Sequence, residues 1–525
     1  MKNKKKFDYY YLIIAIVCVL ALFFVIPNNA VFGSQTDWIS QHIVFPDYFR
    51  KLFYDTGNLF PNFALSLGAG QNIYNFSYYG LLNPFILFSY LLPFVKMSTY
   101  LMAVNGLLYV FLGCICYYFF KSKFSKTISF IGTLLLLFAS PILFHFHRHF
   151  MFVNYLPFLI LGLIGTDRFF EHKGRLLLVL SVFFMITMSY YYSICGIFVL
   201  CIYALYRYIQ LHTQIKIRDM LKTATSFLIP IIVGIAICGV LLIPTFYVLL
   251  TGRSGGKEME LLPLLFPNFN LDSFLYGNYA MGFTFFSFLG ILYTAFCKEK
   301  EKKWMSIFIL ILLIFPIFSY ILNGTLYIRD KIFIPFIPLI ILLVCYFLED
   351  LVQKKVDFCK LTVISIILIA SAILCSFSNV FIYIDFIITL LFVYLYLKGY
   401  IKKEWLFSIL VTISFGVMLV VNYQDKYVPK KYFEHNKTEN FQSTTEEILK
   451  EEKDLVRFNT LGSRSSVGNI NEVYTPGYNQ NSLYSSISNP MYQRFYKDVF
   501  KNSLPYRNNL ILAQNNNIEV VVLTG

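Results

Sequence analysis

The first carboxylate after the first apolar segment of the chain is Asp37, which lies near the start of a polar and aromatic stretch from Gly33 to Asn83. A charge close to a membrane boundary is costly unless it does chemistry or is paired. Low-dielectric surroundings also raise the proton affinity of a carboxylate, which suits a general base that deprotonates a hydroxyl nucleophile. We interpret the stretch as the floor of an active site and predict that Asp37 is its general base.

The neighbours of Asp37 allow a structural role as well. Gln41 follows four residues later and lies on the same side if the segment is helical, which makes it a candidate to line the cleft. In the alternative interpretation, Asp37 is a helix N-cap or the partner of Arg50 or Lys51. The sequence does not separate these two roles.

Two cations, Arg329 and Lys331, follow the turn dipeptide Asn323-Gly324 and precede an apolar run. Cations at that depth can bind a lipid-linked phosphate, and Arg does so through a bidentate fork. The alternative is an interfacial cluster in which Asp330 neutralises one of its neighbours. We predict that Arg329 and Lys331 bind the phosphate of a lipid donor.

The segment HFHRHF contains His145, His147 and His149, with Arg148 between the last two. Alternation in steps of two would put the three His on one side of an extended strand, as in a metal site. No carboxylate or Cys lies nearby in the sequence to complete a ligand shell, so we predict no metal. We expect a polar cluster at the end of a helix, where these side chains line the cleft and contact phosphate or a sugar hydroxyl.

Composition determines what must position these groups. Of the 525 residues, 57% are hydrophobic and 14% charged, and the mean hydropathy is +0.62. Repeated apolar runs of about 18 to 22 residues match the length needed to cross ~30 Å of hydrocarbon. The net charge of +15 comes from small basic clusters between these runs, which is typical of membrane orientation and argues against nucleic acid as a partner. The cysteines lie in or beside apolar runs, so we predict no disulfide framework.

The fold class that follows is an all-α polytopic membrane protein with about 13 transmembrane helices. The N-terminal run follows a lysine cluster and is too long for a signal peptide, so we predict a retained first helix with a cytoplasmic N-terminus. The predicted spans are 9–27, 99–120, 127–144, 151–166, 175–189, 192–208, 223–250, 281–297, 304–322, 332–348, 361–377, 379–397 and 405–422.

Residues 79–95 are apolar but short, and Pro84 and Pro93 interrupt them. We predict a re-entrant or interfacial segment, because only that choice puts every later basic cluster on the cytoplasmic side. The loop at 31–83, the HFHRHF segment and everything after Val421 then face the outside.

The predicted domains are a transmembrane catalytic domain over 1–422 and an extracytoplasmic C-terminal domain over 423–525. The second part is polar and aromatic, with a helix-like piece, STTEEILKEEKDLVRF, and a strand-like piece, IEVVVLTG. We expect a mixed α/β region that is incomplete in this chain.

Five segments together carry a resemblance to a known family: GSQTDWISQH, NLFPNFALSLGAGQNIYNFSYYGLLNPF, MSYYYSICGIF, NGTLYIRDKIFIPFIPL and YSSISNPMYQRF. The chain resembles the bacterial YfhO-type membrane protein family, which belongs with the GT-C superfamily of polyprenyl-phosphate-sugar-dependent glycosyltransferases. The most specific parts are the Asp37 loop, with its turn through Gln71 and Asn72, and the 323–331 segment. We add Gln71 and Asn72 to the residues expected to line the cleft.

The resemblance implies a GT-C-like fold with a large first outer loop that bears the catalytic carboxylate, here Asp37. It also implies a sugar donor linked to undecaprenyl phosphate and an extracytoplasmic acceptor such as teichoic acid. The expected enzyme lies in the bacterial cell membrane and needs no cofactor. Two rival interpretations stay open, a lipid-linked-sugar flippase or transporter and a non-catalytic subunit of envelope synthesis.

Overall fold

Most of the residues that the computed structural model describes are helical. The described residues are 8–68, 70–252, 259–268, 271, 274–374, 380–434, 447–448, 450, 457–458, 479–480, 483–487 and 489–499. The α-helices are, in order, Tyr10–Val25 (α1), Val44–Thr56 (α2), Pro84–Phe88 (α3), Met97–Lys121 (α4), Lys126–Leu137 (α5), Ser140–Arg148 (α6), Leu156–Phe170 (α7), Leu176–Met188 (α8), Tyr190–Leu211 (α9), Ile217–Ile237 (α10), Gly239–Gly252 (α11), Phe285–Ala295 (α12), Lys300–Ile314 (α13), Pro316–Leu322 (α14), Ile337–Val352 (α15), Phe358–Leu374 (α16), Val380–Leu397 (α17), Lys403–Tyr423 (α18), Lys431–Glu434 (α19) and Pro490–Arg494 (α20).

Membrane-length helices fall where the apolar runs predict them, but the count of about 13 spans is not confirmed. Among the described residues, six helices are long and apolar enough to cross a membrane, or up to eight if each of two bent pairs is one span. The pair α5 and α6 bends by 49°, and the pair α13 and α14 bends by 85°. At the second bend Phe315 is extended and Pro316 begins the next helix, because a proline disfavours helical geometry in the residue before it.

Two predicted segments are more broken than a single span. The run predicted at 223–250 is two helices, because α10 ends at Ile237 and α11 begins at Gly239. Residues 79–95 contain only α3 and a single 3₁₀ turn over Ser89–Leu91. Helices of this size rise less than ~10 Å, too little to cross the hydrocarbon. This agrees with the prediction that the segment does not span the membrane.

The long helix that includes α15 lies at the centre of the core. Asp330–Val352 has a mean hydropathy of 2.5 over its most apolar window, and 89% of that window is buried. A helix that is apolar on all sides is stable only when others surround it. Helices α5, α9, α12 and α13 pack against α15 or the turn before it. Lys331 is the second residue of this segment, so the central helix fixes the backbone of that residue in the fold.

Strand pairing joins distant parts of the chain at one end of the helices. Strand β1 (Ala30–Ser34) pairs antiparallel with Tyr427–Pro429, which follows α18. Near the other end, Asp8 pairs with Lys121 at 2.6 Å and with Lys126 at 3.5 Å. The first loop and the strand after α18 therefore share one end, and Asp8 shares the other with the first basic loop. Which end faces the cytoplasm stays a prediction.

The predicted mixed α/β domain is described only in part. Arg457–Phe458 pairs parallel with Asn479–Gln480, and α20 follows. The strand-like piece at 518–525 lies outside the described residues, and so does most of the helix-like piece at 443–458. The α/β character of this region therefore stays a prediction.

Candidate active site

A tight turn after β1 holds the backbone of Asp37. Its φ is 60°, in the left-handed region, which Asp tolerates better than most residues with a side chain. The next residues, Trp38–His42, form one π-helical turn, in which the Asp37 carbonyl accepts from the Gln41 and His42 amides at 2.8 and 3.0 Å. Trp38 is fully buried, and its ring lies so close to Gly33 that a Cβ there would be 2.3 Å away. The carboxylate thus projects from an anchored turn.

The Asp37 carboxylate has two side-chain partners from distant parts of the chain. His149 Nε2 lies 2.9 Å from Oδ2, and the Tyr484 hydroxyl donates to Oδ1 at 3.2 Å. His149 follows the last residue of α6, while Tyr484 lies 447 positions after Asp37. The Asp37 side chain keeps 25% of its surface exposed, against 9% for His149. The carboxylate is therefore held on one side and accessible on the other.

Asp37 occupies the N-cap position of the π-helical turn, but among the described residues its side chain makes neither of the contacts expected of a structural role. Within the described part of the chain, the Asp37 side chain makes no capping hydrogen bond to the turn that follows it. Arg50 and Lys51 pair with Asp47 instead, at 3.0 and 2.9 Å. Asp47 thus pairs with both Arg50 and Lys51, whereas Asp37 hydrogen-bonds His149.

The expected rise in the proton affinity of Asp37 is also wrong. Burial would raise the pKa of Asp37, but the hydrogen bond and charge of His149, with smaller contributions from His42 and Tyr484, hold that pKa below its usual value. Burial lowers the pKa of His149, although Asp37 opposes this. Burial likewise lowers the pKa of His42 to about 3. At neutral pH Asp37 is therefore a carboxylate that accepts from His149 Nε2.

Aromatic rings pack around His149 and connect it to Lys331. The His149 ring stacks on Phe152 at 4.9 Å between centroids and lies 5.5 Å from His145 and 5.9 Å from Tyr279. Lys331 Nζ lies 4.8 Å from the centroid of the same Phe152 ring. The structure therefore brings together the predicted base, two of the predicted histidines and one of the predicted phosphate-binding cations.

His145 and His147 lie on α6 and His149 follows its last residue, so the three histidines form a cluster at a helix end, in agreement with the prediction, and not the strand that a metal site would have used. Because α6 is helical, His145 and His149, four residues apart, share one side. His147 points elsewhere and lies 2.9 Å from Asp425, which Arg148 also contacts at 2.6 Å. The predicted cleft role of His147 and Arg148 therefore competes with a structural one, because both hold the chain that follows α18.

Gln71 and Asn72 make structural hydrogen bonds in the first loop. Gln71 is fully buried, donates to the Gly68 carbonyl at 2.7 Å and accepts from the Asn489 amide at 2.6 Å. Asn72 caps a 3₁₀ turn by accepting from the Tyr74 amide at 3.0 Å. Both residues were predicted to line the cleft; the observed contacts make Gln71 a connection between the loop and the C-terminal segment and make Asn72 a cap within the loop.

The segment that carries Arg329 is held through its backbone. Asn323 Nδ2 donates to the Ser319 and Arg329 carbonyls at 2.7 and 3.1 Å, and the Tyr191 hydroxyl donates to Asn323 Oδ1 at 2.7 Å. The Arg329 side chain is exposed. A fixed backbone with an exposed guanidinium is compatible with the predicted phosphate role, which stays a prediction.

The sequence did not identify three further members of the site. His42 lies five residues after Asp37, and its ring is 5.5 Å from that of His149. That short spacing in the sequence could have indicated that His42 lies close to Asp37. Nothing local pointed to Tyr484 or Tyr279, because each reaches the site through a long-range fold contact.

The match to a family model settles the family. The model that describes the bacterial membrane protein YfhO matches residues 11–521, which is nearly the whole chain. The chain belongs to the YfhO family. The apolar helices and the family together make it a membrane protein. No curated protein matches the sequence.

Three solved structures are similar to this YfhO-family chain at low identity. ArnT from Cupriavidus metallidurans in the apo state has a TM-score of 0.41 and 13% identity, covering 79% of this chain and 75% of that one. The same protein bound to undecaprenyl phosphate has a TM-score of 0.43 and 12% identity, covering 79% and 76%. The arabinofuranosyltransferase AftD from Mycobacteria has a TM-score of 0.45 and 12% identity, covering 81% of this chain but 27% of that one. These scores indicate only a loose likeness in helix arrangement.

Proposed function

We propose that the protein is an integral membrane glycosyltransferase that moves a monosaccharide from a polyprenyl-phosphate carrier, such as undecaprenyl phosphate, to a hydroxyl of a cell-envelope polymer such as teichoic acid. The observation that carries the proposal is the Asp37 carboxylate, which is ionised, one-quarter exposed and oriented by His149. The donor and acceptor classes come from the family resemblance.

The proposed reaction is a direct displacement with inversion at the sugar. The acceptor hydroxyl meets the exposed side of Asp37, and its proton passes to the carboxylate as the hydroxyl oxygen attacks the anomeric carbon. The bond between that carbon and the phosphate oxygen breaks, and the electron pair leaves with the polyprenyl phosphate. Because phosphate is a stable anion, the leaving group needs no added proton.

Lys331 is the cation best placed to stabilise that leaving phosphate. Its ammonium lies against Phe152, which itself stacks on His149, so a phosphate at Lys331 would lie near the base. Arg329, exposed on the same segment, would add a second charge from the solvent side. A cation that contacts the phosphate more strongly as negative charge develops lowers the barrier, not only the donor KM.

The experiment that tests the proposal compares Asp37→Asn with a matched control, Asp47→Asn. Both variants remove one carboxylate from the first loop, but Asp47 pairs only with Arg50 and Lys51 among the described residues. Release of polyprenyl phosphate from a labelled lipid donor should fall by roughly 10²–10⁴-fold in Asp37→Asn, the usual range for loss of a general base. Asp47→Asn should keep most turnover, and both should bind donor.

The two rival functions give different results. A flippase or transporter would release no polyprenyl phosphate, but a transport assay would show movement of the lipid-linked sugar that Asp37→Asn retains, because moving that sugar needs no base. A non-catalytic subunit would release no polyprenyl phosphate even in the wild type. Equal turnover in wild type and Asp37→Asn, or loss of folding in Asp37→Asn, would remove the catalytic assignment.

A further inference from the structure

A second group of charged side chains lies around Asp167, near the C-terminal end of α7. The Asp167 carboxylate accepts from Lys123 Nζ at 2.6 Å and from the Tyr203 hydroxyl at 2.8 Å, and it forms an ion pair with Arg207, whose Nε lies 2.9 Å away. The Lys123 and Arg207 side chains are 13% and 16% exposed. Two largely buried cations thus share one carboxylate, which neutralises only one of them.

This group forms the wall of a cavity of about 590 Å³ at the helix ends. Glu171 also lies on the wall, but Lys173 pairs with it at 2.7 Å. Arg168 adds a further cation, so positive side chains on the wall outnumber carboxylates by two. The residues that line the cavity are Tyr118, Ser122, Lys123, Ile164, Asp167, Arg168, Glu171, Lys173, Tyr206, Arg207, Gln210 and Tyr346.

The cavity is separate from the Asp37 site. The Tyr192 ring, near the start of α9, lies 4.8 Å from that of Phe152, whereas Arg207 lies near the end of the same helix. At 1.5 Å per residue the two positions are about 22 Å apart along the axis. Helix α7 also runs from the Asp37 end to Asp167. A ligand in the cavity therefore cannot touch Asp37.

We propose that this cavity binds the phosphate group of an anion, from either a lipid headgroup or a soluble phosphate compound. A buried excess of positive charge is costly, and an anion would offset it. Arg and Lys are the side chains that bind phosphate oxygens, through a fork and a point charge respectively. The hydroxyls of Tyr206 and Tyr346 hydrogen-bond each other at 2.8 Å, so one of the two keeps its proton available as a neutral donor on the same wall. Basic pockets between membrane helices are suited to anionic lipid headgroups.

The test uses the full chain in nanodiscs and makes two measurements. One is the temperature of thermal unfolding, and the other is the set of bound lipids, identified by native mass spectrometry. One set of nanodiscs contains phosphatidylcholine alone, and the other includes phosphatidylglycerol in increasing amounts. A third arm adds inorganic phosphate to the phosphatidylcholine discs. The variants are Lys123→Gln, which leaves the Arg207 pair with Asp167 in place, and Arg168→Gln, which leaves that whole group intact. Lys303→Gln, an exposed cation outside the cavity wall, is the control.

We expect phosphatidylglycerol to raise the unfolding temperature saturably and to co-purify with the wild type and with Lys303→Gln. Each cavity variant should weaken the apparent affinity about five-fold, the usual contribution of one cation near a lipid surface. The same pattern with inorganic phosphate alone would assign the site to a soluble phosphate compound. Equal weakening in Lys303→Gln and the cavity variants, or no saturable effect in any arm, would overturn the proposal.

Discussion

Replacement of His149 by Phe tests whether the histidine acts by holding Asp37 ionised. The Phe ring keeps the stack on Phe152 but removes the Nε2 hydrogen bond of 2.9 Å to Asp37 Oδ2. That bond and the charge of His149 are the main influences that hold the pKa of Asp37 below its usual value against the effect of burial. Without them, only the smaller contributions of His42 and Tyr484 oppose the effect of burial, and the pKa of Asp37 rises.

The size of the rise follows from the lost hydrogen bond. A hydrogen bond to a charged group contributes roughly 1.5–3 kcal/mol. One pKa unit corresponds to about 1.36 kcal/mol, so the pKa of Asp37 should rise by about 1–2 units. Activity requires the ionised carboxylate, so in the wild type it is lost only as pH falls through a value below that of a free Asp. In His149→Phe it should be lost at a pH about 1–2 units higher.

The assay is the pH dependence of kcat/KM for release of polyprenyl phosphate, which reports groups of the free enzyme. We expect the acid limb of the profile to move upward in His149→Phe while activity at pH 8 stays within about ten-fold of the wild type. Gln at position 149 can donate to the carboxylate and should restore part of the shift. A large loss of turnover at every pH with no movement of the acid limb would refute this reasoning and make His149 the proton acceptor.

Three further predictions rest on other contacts. Tyr484→Phe removes the longer hydrogen bond, of 3.2 Å, to Asp37 and should move the acid limb in the same direction as His149→Phe but less far. A larger movement would show that Tyr484 lowers the pKa of Asp37 more than His149 does. Arg329→Ala should raise the donor KM about 10–150-fold, because one hydrogen bond to a charged group is lost. An unchanged donor KM would show that Arg329 does not bind the phosphate. Asp425→Asn leaves His147 and Arg148 without their carboxylate and should destabilise the fold by about 3–5 kcal/mol in thermal unfolding. His147 and Arg148 hold the pKa of Asp425 in the folded protein below its usual value. The stabilisation is therefore present above the pKa of an unfolded Asp and disappears as pH falls through the pKa of Asp425 in the folded protein. A Tm difference that persists in strong acid would contradict the prediction.

The apolar runs were enough to predict the class of fold and most helix positions, because hydrocarbon requires long runs without charge. They were not enough for a count of spans. The predicted span at 223–250 is two helices that meet at Cys238, where the run stays apolar, so hydropathy carries no signal of the break. At Pro316 the signal existed, but a proline in an apolar run can kink a span or end it. Neighbouring helices decide between these outcomes.

The site shows the same division between local and long-range information. Asp37 was predicted from one stretch of sequence, because it is the first carboxylate after the first apolar run and lies in a polar and aromatic stretch; its catalytic role stays a prediction. His149 was predicted as part of a cluster at a helix end, but the prediction treated the cluster as one group; helical spacing puts His149 beside His145 and places His147 against Asp425. The contact with Tyr484 spans 447 positions and depends on the whole fold.

A lowered pKa constrains how Asp37 can act as a base. It keeps the carboxylate ionised at neutral pH, but it also makes the carboxylate a weak proton acceptor, so Asp37 cannot generate a free alkoxide before the attack. The proton must then move as the new bond forms, when the hydroxyl has become acidic, and the departing phosphate must already carry much of the charge. More of the transition-state stabilisation therefore falls on the cations near the phosphate, Lys331 above all. In this mechanism Lys331→Gln lowers kcat as well as raising the donor KM, and a change confined to KM would show that Lys331 only binds the ground state.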